Sequence, residues 1–358
     1  MTSLSYLREE IKKDNLDGVL ISTSSQIGYL TGYFGFSSIE RDAYMLVTNN
    51  KAYLFTNPLY NDEVKKRCPD VIVIQHTAQH PFALNFKNIV SKYKCQTIGF
   101  ESNNLSVSEY LKITAQIDCR LVNIDLSHIR SKKTPDEIES IKKACLLAQK
   151  AYLLTKEKIK PHMSEAGLAL LFELTVKKLG GDLSFPTIVA FGKNAAIPHH
   201  HSDETKLKTN DVVLMDFGVK LNNYCSDITR TFFLGKATNE YQKLYHIVKN
   251  AQKAAIDFIN MSLATKKEIL AQTVDDEARN FIIEKGHPSI PHSLGHGIGI
   301  EVHEAPSLSP NSKDILTEGM VFSIEPGIYV PNKLGIRIED LFLIQNNQLI
   351  QLTGGLTS

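Results

Sequence analysis

Two stretches of this chain read as long apolar β-hairpins with carboxylates set into them. The first is VVLMDFGVKLNNYCSDITRTFFL, Val212 to Leu234. Folded about Leu221-Asn222, it lays Asp216 opposite Asp227 on one face, with Cβ atoms about 5 Å apart. The second is VFSIEPGIYVPNKLGIRIEDLFLI, Val321 to Ile344. Folded about Asn332, it lays Glu325 opposite Glu339, with Arg337 on the same face, and the Glu325-Pro326 step predicts an irregular ladder. A lone acidic pair on a hairpin is the ordinary pattern of a solvated face. Two pairs in apolar strands are different, because opposed carboxylates repel and a buried one is driven toward its protonated form. A divalent cation between them removes the conflict. With one imidazole, such an oxygen-rich set suits Mn²⁺, Co²⁺, Fe²⁺ or Zn²⁺ rather than a thiolate-seeking metal, and four negative charges match two divalent ions.

The imidazoles come from SLGHGIGIEVHEAP, Ser293 to Pro306, where His296 and His303 lie among Gly295, Gly297 and Gly299, and His292 stands just ahead. Glycines at this density make a poor helix, so the segment is expected to be extended. Strand alternation then sends His296 and His303 to opposite faces unless a bulge intervenes. Ordering glycine costs free energy, and the expectation is that metals and substrate pass close to this backbone. A second run, His199, His200 and His201 in FGKNAAIPHHHSDE, precedes the first acidic strand. Two of these three are expected to be solvated, and one to reach the site.

The rest of the chain supplies the scaffold. Strand-like runs GVLIS, YMLVT, AYLFT, VIVIQ, TIGF and RLVNI alternate with amphipathic segments up to Ile124, with a hairpin turn expected at Asn49-Asn50. That is the pattern of a small α/β domain. Thr134, Pro135 and Glu137 then make a helix start with a capping box, followed by Ile138, Ile141, Cys145 and Leu146 at helical spacing. The domain boundary is placed between Ser127 and Lys133, giving domains 1–128 and 129–358. Further helices are expected at Ser164–Leu179, Tyr241–Ile259 and Val274–Lys285. Lys and Arg number 40 against 39 Asp and Glu, which argues against an electrostatic nucleic-acid or anionic-membrane binder. No apolar run is long enough to span a membrane. The N-terminus reads as an amphipathic helix rather than a signal peptide, and five scattered cysteines fit a reduced, cytoplasmic protein.

DFG…YCSDITRTF, PHSLGHGIGIEVHE, SIEPGIYV and GIRIED together resemble the Xaa-Pro peptidases, aminopeptidase P and prolidase, among the pita-bread metallopeptidases. The resemblance extends to YLTGYFGF (Tyr29 to Phe36) and covers nearly the whole chain. It implies an α/β N-terminal creatinase-like domain and an α+β pita-bread C-terminal catalytic domain. It implies two divalent metal ions, Mn²⁺ first with Co²⁺ or Zn²⁺ as alternatives, held by Asp216, Asp227, His296, Glu325 and Glu339. His303, His292 and Glu325 are implied as catalytic groups: the imidazoles to stabilise the oxyanion and move protons, Glu325 to take a proton from water. His199, Tyr329 and Arg337 are implied at the substrate, with Arg337 also holding carboxylates. Asn223 departs from the family pattern where a glycine often stands, and His200 where a small residue often follows the Pro-His step; both bear on loop shape and substrate fit. The activity implied is hydrolysis of the Xaa-Pro bond at a peptide N-terminus, with the dipeptidase as alternative, in a cytoplasmic homodimer. Methionine aminopeptidase fits less well because of the N-terminal domain and the spacing around VHE. Creatinase-like chemistry, or an inactive protein that binds peptides, would not need all five ligands.

Overall fold

The central strands of the N-terminal half alternate cleanly between two apolar layers. In the computed structural model, which describes residues 2–356, the chain forms two units, Met1–Ile129 and Arg130–Ser358. The first holds helices α1 (Ser3–Lys13), α2 (Ser24–Thr31), α3 (Asn61–Arg67), α4 (Phe82–Lys92) and α5 (Val107–Thr114). Its strands are β1 (Gly18–Ile21), β2 (Ala43–Thr48), β3 (Ala52–Thr56), β4 (Ile72–Gln75), β5 (Thr97–Phe100) and β6 (Arg120–Asn123). They make one mixed sheet in the order β4-β3-β2-β1-β5-β6. Met45 and Val47 join Leu7, Ile11 and Ile27 on one side, while Tyr44 and Leu46 join Phe82, Phe86 and Ile113 on the other. Each strand foreseen in the sequence is present, and β2 and β3 turn about Asn49-Asn50. Strands covered on both faces read as near-continuous apolar runs, which is why the sequence showed them so plainly.

The second unit begins with α6 (Pro135–Lys156) and α7 (Glu165–Lys178). The Thr134 hydroxyl accepts from Glu137 N–H while the Glu137 carboxylate accepts from Thr134 N–H, the capping box expected there. Ile138, Ile141 and Cys145 are buried, but Leu146 is 63% exposed and falls outside the core. Helix α8 (Asn239–Ala264) runs beyond the expected Tyr241–Ile259 because Thr238 caps it and its amphipathic face continues to Ser262; α9 is Ala271–Glu284. The strands are β7 (Asp182–Leu183), β8 (Ile188–Phe191), β9 (Asp211–Phe217), β10 (Val219–Leu221), β11 (Tyr224–Cys225), β12 (Ile228–Leu234), β13 (Ile269–Leu270) and β14 (Gly295–Gly297). They continue with β15 (Glu304–Leu308), β16 (Ile315–Leu316), β17 (Val321–Ile324), β18 (Gly327–Val330), β19 (Leu334–Arg337), β20 (Asp340–Gln345) and β21 (Gln348–Gln351). Sheets β12-β9-β8 and β15-β14-β17-β20-β21 carry the unit, with β18-β19 as an added ribbon. Along β9, Val213, Met215 and Phe217 pack with α6 and α7, and Val212 and Leu214 with α8 and α9. The strands are thus sandwiched between two helix pairs. Among the described residues no helix is long and apolar enough to cross a membrane.

The first acidic hairpin differs from expectation. Its turn is Asn222-Asn223, both with positive φ (50° and 70°), so the departure at Asn223 is a left-handed residue in a two-residue turn. The register moves by two: Asp216 pairs with Thr229, and Asp227 precedes β12. The two arms also part at Gly218, with β10 and β11 in a separate sheet with β7. A shift of two keeps every side chain on its face, so Asp216 and Asp227 become diagonal neighbours. The second hairpin has the expected register, with Gly327 opposite Arg337 and Ile324 opposite Asp340, and the ladder is interrupted at Glu325-Pro326.

Candidate metal centre

Five side chains converge from five strand ends. Asp216 is the penultimate residue of β9, Asp227 immediately precedes β12, His296 lies in β14, Glu325 follows β17, and Glu339 bridges β19 to β20. His296 Nε2 is 3.4 Å from Glu325 Oε1, 3.6 Å from Asp227 Oδ2 and 3.9 Å from Glu339 Oε1. His296 Nδ1 faces its neighbour's carbonyl, Gly297 O, at 3.1 Å. A carbonyl only accepts, so Nδ1 holds the proton and Nε2 turns a lone pair to the carboxylates, the tautomer a metal ligand requires.

The carboxylates are in conflict without a cation. Burial, then repulsion from Glu339, Asp216 and Glu325, pushes Asp227 well above the usual carboxylate range. Glu325 moves the same way, by burial and by Glu339, and burial with Asp216 carries Glu339 to about 8. Burial lowers His296 to about 4, with His303 adding to the effect. Asp216 Oδ1, Asp227 Oδ1 and Glu339 Oε1 are buried without a hydrogen-bond partner. Such atoms are rare in native proteins, and three aimed into one cluster fit divalent metal ions. Asp227, His296 and Glu339 alone bring three ligand atoms within 4.8 Å of one another.

The supports are as ordered as the ligands. Arg337 Nη2 donates to Asp216 Oδ2 at 2.5 Å, Nε to Thr229 Oγ1 at 3.1 Å, and Nη1 to Tyr329 Oη at 3.1 Å and Pro198 O at 3.3 Å. Thr229 Oγ1 donates to Glu339 Oε2 at 2.8 Å, and Thr231 Oγ1 exchanges hydrogen bonds with the Arg337 backbone. Behind the cluster, Arg230 pairs with Asp340 at 2.6 Å, both buried, and Gln252 and Thr353 bind the same carboxylate. None of Thr229, Thr231, Arg230, Asp340 or Gln252 was singled out from the sequence. One signal was there: in DITRT, Thr229 and Thr231 share the parity of Asp227 and hence its face.

Of the glycines in the histidine segment, Gly295 and Gly297 have a different reason from the one expected. A Cβ on Gly295 would lie 2.0 Å from Ser323 O, and one on Gly297 2.1 Å from Ala305 O. The missing side chains make room for neighbouring backbone, and Gly295 also lines the cavity described below. A bulge between His296 and Gly297 breaks the alternation, and the His303 ring comes to 4.3 Å from that of His296, edge to face.

These groups open onto a cavity of about 710 Å³, walled by Phe185, Pro186, Ile188 and Val302 and by His199, His200 and His201. His199 and His201 are exposed, as expected of two of the three, while the His200 side chain is 10% exposed and packed against Glu165. His303 is open to the cavity, though its surroundings still lower its pKa by burial. His292 is held at both nitrogens: Nδ1 faces Ser293 O at 2.8 Å and Nε2 faces Tyr329 Oη at 2.8 Å. The order of donors is therefore Arg337 to Tyr329 to His292, and burial lowers His292 to about 4. Tyr329 is thus joined to His292 and Arg337.

The profile of metallopeptidase family M24 matches residues 139–346, and that of the creatinase/prolidase N-terminal domain matches residues 4–131. The chain belongs to metallopeptidase family M24. An uncharacterized peptidase of Staphylococcus aureus is 34% identical to this M24 chain, with 99% of each covered. The Xaa-Pro dipeptidase from Bacillus anthracis superposes with a TM-score of 0.89 at 29% identity, over 99% of this chain and 98% of the other. The X-Pro aminopeptidase from Thermotoga maritima superposes at 0.83 with 33% identity, over 96% and 97%. The M24 peptidase therefore has the pita-bread architecture, preceded by a creatinase-like domain, and it is a metallopeptidase.

Proposed function

We propose that this M24 peptidase hydrolyses the Xaa-Pro bond at the N-terminus of peptides, with two divalent metal ions held by Asp216, Asp227, His296, Glu325 and Glu339. The observation that carries the reading is the trio of buried, partnerless carboxylate oxygens on Asp216, Asp227 and Glu339, facing the cavity that would take the substrate. They also argue against an inactive peptide-binding protein, which would have no use for them. When bound, such ions polarise a carbonyl and lower the pKa of water.

The chain's own groups do the rest. Glu325, at the edge of the cavity, takes a proton from the attacking water at its carboxylate. His303, beside His296 and open to the cavity, hydrogen-bonds the oxygen on which charge develops. His292 has both nitrogens engaged, so we assign it, with Tyr329 and Arg337, to holding Asp216 and the cavity wall. Phe185, Pro186, Ile188 and Val302 offer an apolar wall to the proline ring, whose nitrogen has no hydrogen to donate.

The aminopeptidase reading is favoured over the dipeptidase by charge. Among the described lining residues Arg337 is the one guanidinium or ammonium group, and it is engaged by Asp216, Tyr329 and Pro198. A dipeptide would bring its C-terminal carboxylate into this cavity with no cation committed to it. Mn²⁺ is the ion to try first for so oxygen-rich a set, ahead of Co²⁺ and Zn²⁺, and the same reading expects a cytoplasmic homodimer. The test strips the protein of metal, reloads it with Mn²⁺, and follows an Xaa-Pro dipeptide and a longer Xaa-Pro-Yaa-Zaa peptide by mass spectrometry. Release of Xaa from the longer peptide is expected. Cleavage of the dipeptide alone would make it a dipeptidase, and no cleavage of either with metal bound would end the reading.

A further inference from the structure

The histidine run of the cavity is held from behind by a carboxylate outside the metal centre. Glu165 is the first residue of α7, capped by Ser164, and its side chain is fully buried. A buried carboxylate needs donors, and this one has four. Its Oε1 accepts from Phe191 N–H at 2.7 Å and from the Asn194 amide at 3.0 Å. Its Oε2 accepts from His200 Nε2 at 2.6 Å and from Asp203 N–H at 3.2 Å. The start of a helix further favours negative charge there. Glu165, His200 and Asp203 have the makeup of a metal site. Yet the lone pairs of Glu165 already face N–H groups, so the cluster is a structural joint.

The joint controls one segment. Pro198 O accepts from Arg337, Ser202 Oγ accepts from Val189 N–H at 2.8 Å, and the N–H groups of Glu165 and Ala166 donate to Thr205 O and Asp203 O. Residues 198–205 are thus tied to the carboxylate cluster at one end, to α7 at the other, and to Glu165 in the middle through His200. The proposed metal ligands Glu339 and His296 have separate supports in Thr229 and Ser323, while Arg337 holds both Asp216 and Pro198 O.

We propose that Glu165, acting through His200, is a positioning residue for substrate binding: it fixes the wall formed by His199, His200 and His201. The kinetic consequence rests on the proposed function; the structural one does not. The experiment compares Glu165→Ala, Glu165→Gln and His200→Asn with the unaltered protein. By hydrogen exchange, residues 198–203 should exchange about tenfold faster or more in Glu165→Ala and His200→Asn, with 211–217 unchanged. Glu165→Gln should fall between, since its amide oxygen can still accept from Phe191 and Asn194. On a Xaa-Pro peptide, KM should rise about tenfold while kcat stays within about threefold and metal content is unaltered. Unchanged exchange at 198–203, or a fall in kcat at constant KM, overturns the proposal. If the unaltered protein cleaves no such peptide, the proposed function fails and exchange alone decides the positioning role. Should Glu165→Ala not fold, His200→Asn, at a side chain that still reaches the cavity, carries the test.

Discussion

Asp227 is buried among Asp216, Glu325 and Glu339, so its charge is tolerable only beside a cation. Asp227→Asn removes one source of repulsion and one proposed ligand together. The metal-free variant is therefore expected to melt higher than the unaltered metal-free protein, while turnover with metal falls by more than about 100-fold. Calorimetry and an activity assay on the same preparations check both halves; a lower melting temperature would contradict the account of the cluster. Tyr329→Phe removes the hydroxyl that both accepts from Arg337 and donates to His292. A loss of about tenfold in kcat/KM is expected, with folding intact by circular dichroism. At this scale the sequence was most informative where chemistry is unusual. Carboxylates in apolar strands and imidazoles among glycines stand out in a string of letters. Thr229 and Thr231 did not, because threonine in a strand is ordinary, and its tie to Glu339 or Arg337 spans more than a hundred residues.

Elements that carry their own stop and start signals were legible in detail. The capping box at Thr134 and Glu137, the hairpin at Asn49-Asn50 and the apolar strands of the first unit needed only local rules. The first acidic hairpin needed more, since the turn at Asn222-Asn223 rather than Leu221-Asn222 moves its register by two. Its face survived because the period of a strand is two. The bulge after His296 was open in the sequence only as an alternative to strict alternation, being set by contact with residues 304–308. Strand β12 offers a test of this packing. Its Arg230 points away from Thr229 and Thr231 to a buried pair with Asp340. Arg230→Met should cost about 3–5 kcal/mol, because it strands a buried carboxylate, and adding Asp340→Asn should recover part of it. Urea unfolding of the single and double variants measures this; additive losses would contradict the pairing.

The molecule as a whole should respond to pH through the same cluster. Glu339, raised from 4.5 to about 8, gives stability that is present below 4.5 and lost as pH rises toward 8. His292 and His296, lowered from 6.5 to about 4, give stability that is present above 6.5 and lost as pH falls toward 4. Between about 6.5 and 8 the carboxylates act alone, so the metal-free protein is expected to melt lower at pH 8 than at pH 6.5. A saturating divalent ion should remove or reverse that slope and release protons as it binds, which calorimetry in buffers of different ionisation heat will register. A metal-free melting temperature that climbs over this window would contradict it. The five proposed ligands reach from residue 216 to residue 339 and come from two sheets, β12-β9-β8 and β15-β14-β17-β20-β21. An ion at their meeting point would reinforce the Arg337–Asp216 and Thr229–Glu339 bonds that already tie the two sheets together, and its binding free energy would add to that of the fold. In a cell short of divalent metal, newly made chains would linger in the self-repelling form that proteases clear. The amount of this protein, and not just its specific activity, should then follow the metal supply.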